Sequence, residues 1–338
     1  MVQNEVLVYT ATPEGKVVPK THLKKETSEF DVDSVSLNGG FVLKTKALSL
    51  DPYLKGRMRK PEVKSYSPPL EVGKPLETLG VGEVVRSDSP DVKVGSIWRG
   101  LIDAADYSVV SGIGLHKGKV IQNEEQLPWT NLVGSVGMPS MTAMVGLFDV
   151  GKCKAGETIF ISAASGAVGQ IACQIAKREG LKVLGSAGSD EKVKHLKEIG
   201  VDVAWNYKTE DTRKFLEENP FTKYFDNVGG ETLDTVLETI GQKGVIISCG
   251  AISQYSVTPS ERYRLGNTMQ VVAKSIRWEG FIVSNFDTTE HEKTLRKLVK
   301  AGDIKIKEHV VDGLDNGEAF RDLLDGTAHG KVVYSVNK

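Results

Sequence analysis

The stretch from Thr158 to Lys192 constrains the chain more than any other. It opens on the apolar, β-branched run Thr-Ile-Phe-Ile-Ser, turns through Ala163-Ala-Ser-Gly-Ala-Val-Gly169, continues as a helix-like run from Gln170 to Arg178, and ends on a second apolar run, Lys182–Ser186. Strand, glycine turn, helix of 3.6 period and strand spell one βαβ unit. Such a unit aims a helix N-terminus and a row of backbone N–H groups at one point, which suits a pyrophosphate. In the turn, Ala164-Ser165-Gly166-Ala167-Val168-Gly169 fits the dinucleotide fingerprint with Ala at its first position. Gly166 would let the backbone approach phosphate, and Gly169 would let the helix pack against the strand. Any tight strand–helix turn also favours glycine, so the flanking strand and helix carry the reading rather than the glycines alone.

The end of the second strand bears on which nucleotide is held. An NAD site places Asp or Glu about 20 residues past the fingerprint, on the ribose 2′-hydroxyl. Here the segment reads Gly185-Ser-Ala-Gly188-Ser189, with no carboxylate. That absence removes repulsion against a 2′-phosphate, and Lys192, one turn into the next helix, is placed to meet it as a point charge. Tyr207, after the third strand, is a candidate to cap the adenine or donate to the phosphate. Further strand tips, at Asp226-Asn227-Val-Gly-Gly230 and at Cys249-Gly250-Ala251-Ile252-Ser253-Gln254-Tyr255, lie where ligands of open α/β sheets sit and leave room for a nicotinamide.

Two domains follow from the pattern along the 338 residues. Residues 1–126 are strand-rich and punctuated by Gly and Pro, which predicts a short antiparallel barrel. Residues 127–300 alternate strands with amphipathic helices, which predicts a parallel, doubly wound sheet. Residues 301–338 are strand-rich again and are expected to return to the first domain. The fold class is therefore α/β, a β-barrel domain plus a dinucleotide-binding domain.

A net charge of -1 gives no global attraction to nucleic acid or an anionic membrane. No apolar run approaches the roughly 20 residues of a membrane helix, and the N-terminus lacks the pattern of a signal peptide. Three scattered cysteines, Cys153, Cys173 and Cys249, suit a reducing compartment, so a cytoplasmic location is expected. No cysteine precedes Cys153, and the six histidines show no ligand spacing, so no metal site is expected.

Several words of the chain resemble the medium-chain dehydrogenase/reductase superfamily, in its zinc-independent branch of alkenal/enone double-bond reductases and leukotriene/prostaglandin reductases. They are Leu48-Ser-Leu-Asp-Pro52-Tyr53-Leu-Lys-Gly-Arg-Met58, Gly137-Met-Pro139, Ala163–Gly169, Gly185–Lys192, Asn206-Tyr207-Lys208, Phe225–Gly230 and Cys249–Tyr255. The resemblance implies a GroES-like first domain and a Rossmann second domain with NADPH as cofactor. It implies that Ser165, Gly166, Ala167, Val168 and Gly169 bind the pyrophosphate and that Gly188, Lys192 and Tyr207 meet the 2′-phosphate end. It implies that Pro52, Asn227, Cys249, Gly250, Ala251, Ile252 and Ser253 hold the ribose and nicotinamide. Phe281, Ile282 and Val283 would wall the nicotinamide, and Tyr53 and Tyr255 would line the substrate pocket. Two departures stand out. Ala328 occupies a tail slot where the family places Asn, so one contact is missing or replaced by His329. Gly137-Met-Pro139-Ser140 replaces a Gly-Met-Pro-Gly word, which alters the pocket.

The expected reaction is reduction of an activated C=C by NADPH. Hydride goes to the β-carbon, the enolate is stabilised by the hydroxyl of Tyr255, of Tyr53 or of the cofactor ribose, and the α-carbon is protonated. A zinc-free quinone reductase, a ketone or allylic-alcohol dehydrogenase, and a non-catalytic NADPH-binding protein are the alternatives. The partners expected are a small electrophilic carbonyl compound and a second copy of the chain, paired through the strand near 275–283.

Overall fold

The computed structural model describes residues 1–337. In chain order they form β1 (Val2–Tyr9), β2 (Leu23–Phe30), β3 (Phe41–Ser49), α1 (Tyr53–Arg57), β4 (Lys74–Pro75), β5 (Glu77–Ser87), β6 (Ile97–Asp103), β7 (Tyr107–Val110), β8 (Gly118–Ile121) and α2 (Trp129–Val133). There follow α3 (Met138–Met144), β9 (Thr158–Ile161), α4 (Ala167–Arg178), β10 (Lys182–Ala187), α5 (Asp190–Glu198), β11 (Val203–Asn206), α6 (Thr212–Glu218), β12 (Lys223–Asp226), α7 (Gly230–Thr239), β13 (Val245–Ser248), α8 (Gln270–Ala273), β14 (Arg277–Gly280) and α9 (Thr289–Lys300). The chain ends with β15 (Glu308–Asp312), α10 (Glu318–Leu324) and β16 (Lys331–Ser335).

Two units result: Met1–Gly134 with the segment from Glu308 on, and Ser135–Lys307. Both crossings lie a few residues later than the borders at 126/127 and 300/301 suggested by the sequence. At the first, α2 packs on β3, β5 and β16 and so stays with the first unit. At the second, two glutamines of α4 hold the outgoing backbone. Gln170 Nε2 donates to Lys307 O (3.0 Å) while Lys307 N donates to Gln170 Oε1 (2.8 Å). Gln174 does the same with Lys305, at 2.7 and 2.8 Å.

The first unit is a mixed β structure rather than a purely antiparallel barrel. Its larger sheet runs β15-β16-β3-β5-β6-β8, with β7 also on β3. The β15–β16 pair is parallel. One edge of β3 pairs with β5, and the other is shared between β7 at Phe41–Lys44 and β16 at Ala47–Ser49. Irregular register after Val42 and after Thr45 accompanies that sharing. A smaller sheet, β2-β1-β4, contains a strand the sequence hides. Lys24-Lys-Glu-Thr-Ser-Glu29 has no apolar alternation, yet β2 pairs with β1 from end to end because it is an exposed edge.

In the second unit the order is β11-β10-β9-β12-β13-β14, with every pair parallel. Numbered within the unit this is 3-2-1-4-5-6, the doubly wound dinucleotide order, whose switch point falls between β9 and β12. Alternation along β9 splits the core. Ile159 and Ile161 pack with Ile171, Val183 and Phe225 on one face, and Phe160 packs with Leu184, Trp205 and Tyr224 on the other. The Phe160 ring stacks between Trp205 at 5.1 Å and Tyr224 at 5.0 Å. Strand β14 is shorter than the sequence suggested, because the chain turns into a 3₁₀ turn at Val283–Asn285. Among the described residues no helix is long and apolar enough to cross a membrane.

Candidate active site

The glycine turn joins β9 to α4. Ala163 adopts φ +46°, and Gly166 caps the helix in extended conformation. A Cβ on Gly169 would lie 2.4 Å from Ala163 O and 2.7 Å from Ala164 Cα, so only glycine lets α4 sit this close to the strand end. A Cβ on Gly166 would meet only Ala163 O, at 3.2 Å. The first-turn N–H groups of α4 have no intrahelical acceptor by the geometry of a helix start. Ser165 is buried beside them, and Ala167 and Val168 open the helix. An open glycine flank beside unpartnered N–H groups fits a pyrophosphate.

Beyond β10, Ser189 caps α5 by accepting from Lys192 N (3.3 Å). The cap places Lys192 one turn in, where its side chain is buried. Burial, and then the neighbouring Lys208 ammonium, pull its pKa below the ordinary lysine value. Gly188 faces the same place: a Cβ there would lie 3.1 Å from the Tyr207 hydroxyl and 3.4 Å from Lys208 Cε. Two ammonium groups and a phenol thus converge beside a glycine. Of the two acidic residues that open α5, Asp190 accepts from Asn206 Nδ2 (2.8 Å), and Glu191 acts on Lys192 as a weaker, opposing charge. A donor set of that charge fits a phosphate ester. Lys208 joins this group through its closeness to Lys192 and Gly188.

The tip of β12 is organised by Asp226, whose carboxyl is buried and raised above the usual carboxylate range by that burial. Its Oδ1 accepts from the Tyr224 hydroxyl (2.8 Å), Val228 N (3.0 Å) and Gly229 N (2.8 Å). Those bonds hold the Gly229-Gly230 turn, where both φ values are positive. The Tyr224 hydroxyl oxygen also lies within hydrogen-bond distance of Ser162 Oγ (3.0 Å), which receives Asn227 N (3.1 Å), while Asn227 Nδ2 donates to Ser162 O (2.8 Å). Asn227 therefore ties β9 to β12 at the switch point. The Asp226–Tyr224–Ser162 network has no local sequence signature, because its members come from two strands.

Beside it opens a cavity of about 810 Å³ at the carboxyl ends of β12 and β13. Of the residues expected around the nicotinamide, Cys249, Gly250, Ala251, Phe281, Ile282 and Tyr255 line it. Ile252, Ser253 and Val283 do not. Ile252 N and Ser253 N donate to Asn227 O and Val228 O, both at 3.2 Å, and the Ser253 hydroxyl donates to Val228 O (2.7 Å), so this turn is spent on packing against the β12 loop. Val283 packs on the hydrophobic core. The Tyr255 hydroxyl accepts from Ala251 N (3.0 Å), which fixes the phenol inside its own loop. Burial, with Asp226 adding, pushes the Cys249 thiol up to about 12, so it is a neutral lining group. Tyr263, Leu265, Trp278 and Phe286 complete much of the wall, and the sequence reading named none of them.

In the first unit Pro52 is the N-cap of α1, and Tyr53 begins the helix. The Tyr53 hydroxyl is buried beside Thr78 and the Leu79 backbone. Burial, reinforced by Asp51, raises its pKa far above that of an ordinary phenol. Asp51 pairs with the buried Lys331 ammonium at 3.2 Å, which also donates to Leu50 O (2.6 Å) and Val332 O (2.8 Å).

Two family models match the chain: a zinc-binding dehydrogenase model over residues 167–301 and an N-terminal domain of oxidoreductase over residues 9–117. NADP-dependent oxidoreductase RED1 of Cochliobolus heterostrophus is 40% identical over 346 residues, covering 99% of this chain and 98% of that protein. Prostaglandin reductase 1 of Rattus norvegicus is 36% identical over 324 residues, covering 90% and 93%. The crystal structure of CurA from Vibrio vulnificus in complex with NADPH is 31% identical, covers 99% of both chains and superposes with a TM-score of 0.86.

The chain belongs to the medium-chain dehydrogenase/reductase superfamily, in its zinc-independent enone/alkenal reductase branch.

Membership accounts for the mixed-sheet unit paired with a parallel-sheet unit. Among the described residues of this reductase, no group of three or more His, Cys, Asp or Glu side chains stands together as metal ligands. Ala328, in the branch's Asn slot, is packed into the hydrophobic core of the first unit beside Phe320 and Val332. An amide there would have to be buried or turned outward, so the substitution is compatible with the packing around it.

Proposed function

We propose that this reductase transfers hydride from NADPH to the β-carbon of α,β-unsaturated aldehydes and ketones. One observation carries the reading: the Tyr255 phenol stands in a largely apolar cavity at the carboxyl ends of β12 and β13, held by Ala251 N–H at 3.0 Å.

NADPH, when bound, supplies the hydride. Ser165 to Gly169 receive its pyrophosphate on the N-terminus of α4. Gly188, Lys192, Tyr207 and Lys208 receive the 2′-phosphate. Asn227, Cys249, Gly250 and Ala251 belong to the ribose and nicotinamide end, where Phe281 and Ile282 give an apolar wall. Adding hydride to a polarised C=C leaves negative charge on the carbonyl oxygen of the acceptor. Tyr255 lines the cavity and carries a phenol O–H, a group of the chemistry that stabilises such an enolate. Protonation at the α-carbon follows from Tyr255 or water. The raised pKa of Tyr53 disfavours its giving up a proton, which leaves Tyr255 as the phenol of the reaction. The apolar walls keep water from the charge as it develops.

The exposed edge of β14, which among the described residues pairs with β13 alone, supports a homodimer built by pairing with a second copy. Sedimentation reporting a monomer at micromolar concentration would remove that assignment. The free thiols Cys153, Cys173 and Cys249 support a reducing, cytoplasmic setting. Oxidation of NADPH followed at 340 nm across enones, quinones and simple ketones tests the reaction. Enones should turn over fastest; a preference for quinones or saturated ketones would reject it.

A further inference from the structure

Part of the cavity wall comes from the segment after the Tyr255 loop, through Tyr263 and Leu265, and one carboxylate holds that segment. Asp234 lies on the buried side of α7. Its Oδ1 accepts Gly266 N at 3.0 Å and Asn267 N at 2.9 Å, and its Oδ2 accepts the Tyr263 hydroxyl at 3.1 Å. Asn267 Nδ2 returns a bond to Asp234 O at 3.2 Å. From the other side, Gln254 Oε1 accepts Tyr263 N at 2.9 Å. The phenol tip is thus occupied by Asp234, and the ring of Tyr263 lines the cavity with Leu265 and Leu233. A ring fixed at its polar end presents apolar surface to whatever fills the space. The cavity, at about 810 Å³, lies in the upper part of the range of roughly 300–1,000 Å³ for ligand pockets, which leaves room beyond a nicotinamide.

We propose that Tyr263 determines which acceptors fit, by giving a flat apolar wall to the arm beyond the reacting double bond, and that Asp234 is the residue that positions it. This rests on the assignment of the cavity to an enone acceptor. Acceptors with a planar or extended apolar arm gain from the wall, and short ones do not reach it. Asp234 acts through Tyr263 and does not touch the acceptor.

Binding to the NADP⁺-loaded protein tests this without turnover. Calorimetric titration compares 1,3-diphenylpropenone, which has an aryl arm, with 2-cyclohexenone, which has none. Tyr263→Ala should weaken diphenylpropenone about tenfold and cyclohexenone less than twofold, with NADPH affinity unchanged. Asp234→Ala should copy that pattern, and Asp234→Asn, which keeps one carbonyl oxygen for the 266–267 N–H groups, should recover part of it. In steady state the loss should fall on KM for diphenylpropenone and leave kcat within about twofold. Equal loss for both acceptors, loss confined to kcat, no loss, or no diphenylpropenone binding to the parent protein each overturns the proposal. If the binding pattern holds but neither compound is reduced, the wall stands and the enone-reductase reading falls.

Discussion

The phosphate turn and the acceptor cavity lie in the same unit and are built by different means. The turn is made of backbone: a strand end, a glycine against Ala163 O and a helix N-terminus, all within the short run Ser162–Gly169. The cavity is made of side chains that α7, the 249–255 loop, the 263–267 segment and the region after β14 bring together from far apart in sequence. Backbone sites tolerate few residue types, so they leave a mark in sequence. Side-chain sites admit many solutions and become visible only once the sheet order is known.

That contrast is most sharply broken at Gly169. Gly169→Val should destabilise the fold by about 1–3 kcal/mol, because the added atoms meet backbone that cannot yield, and should weaken NADPH at least about 100-fold. Thermal unfolding and NADPH titration read both. Gly166→Ala is the control: with Ala163 O at 3.2 Å as its nearest contact it should keep the melting temperature and lose mainly NADPH affinity. If Gly166→Ala binds NADPH normally, phosphate does not approach that flank.

At the cavity end, Tyr255→Phe should lower kcat on an enone by about 100-fold, the scale of losing one donor to a developing oxyanion, while NADPH affinity stays within about twofold. Full activity would remove Tyr255 from the chemistry.

The legible part of the molecule follows the same division. The order of strands and helices from Thr158 to Ser248 could be read because buried parallel strands are continuous apolar runs. Lys192 could be read because a carboxylate is missing before it. Strand β2 could not be, since its Lys-Lys-Glu-Thr-Ser-Glu composition reflects an exposed edge rather than a core. Helix α9, whose Leu295 and Leu298 are buried, went unread in a charged run. Lys208 and Asp226 gain meaning only from neighbours on other strands. At Ile252, Ser253 and Val283 the resemblance supplied positions that the structure places in packing rather than on the cavity wall.

Lys192→Gln should raise the dissociation constant of NADPH about tenfold and leave that of NADH unchanged, matching the loss of one charge-assisted bond. Equal weakening of both cofactors would make Lys192 structural.

The smallest effect lies in the first unit. Asp103 faces Glu77 across the β5–β6 pair, and burial, then Glu77, raise its pKa to about 6, against the pull of Lys117. A carboxyl whose folded pKa lies above its unfolded value is protonated at little cost below pH 4, and its ionisation opposes folding as pH rises through about 6. Asp103→Asn should therefore raise the melting temperature at pH 8 and leave it unchanged near pH 4. The opposite trend would mean that Asp103 is stabilised as an anion.

The central claim is that this reductase sends hydride to carbon conjugated with a carbonyl. Turnover of an enone with NADPH deuterated at the nicotinamide C4 position tests it directly. Hydride delivery to the β-carbon gives a saturated ketone carrying one deuterium there. Deuterium on the former carbonyl carbon of an allylic alcohol would contradict it.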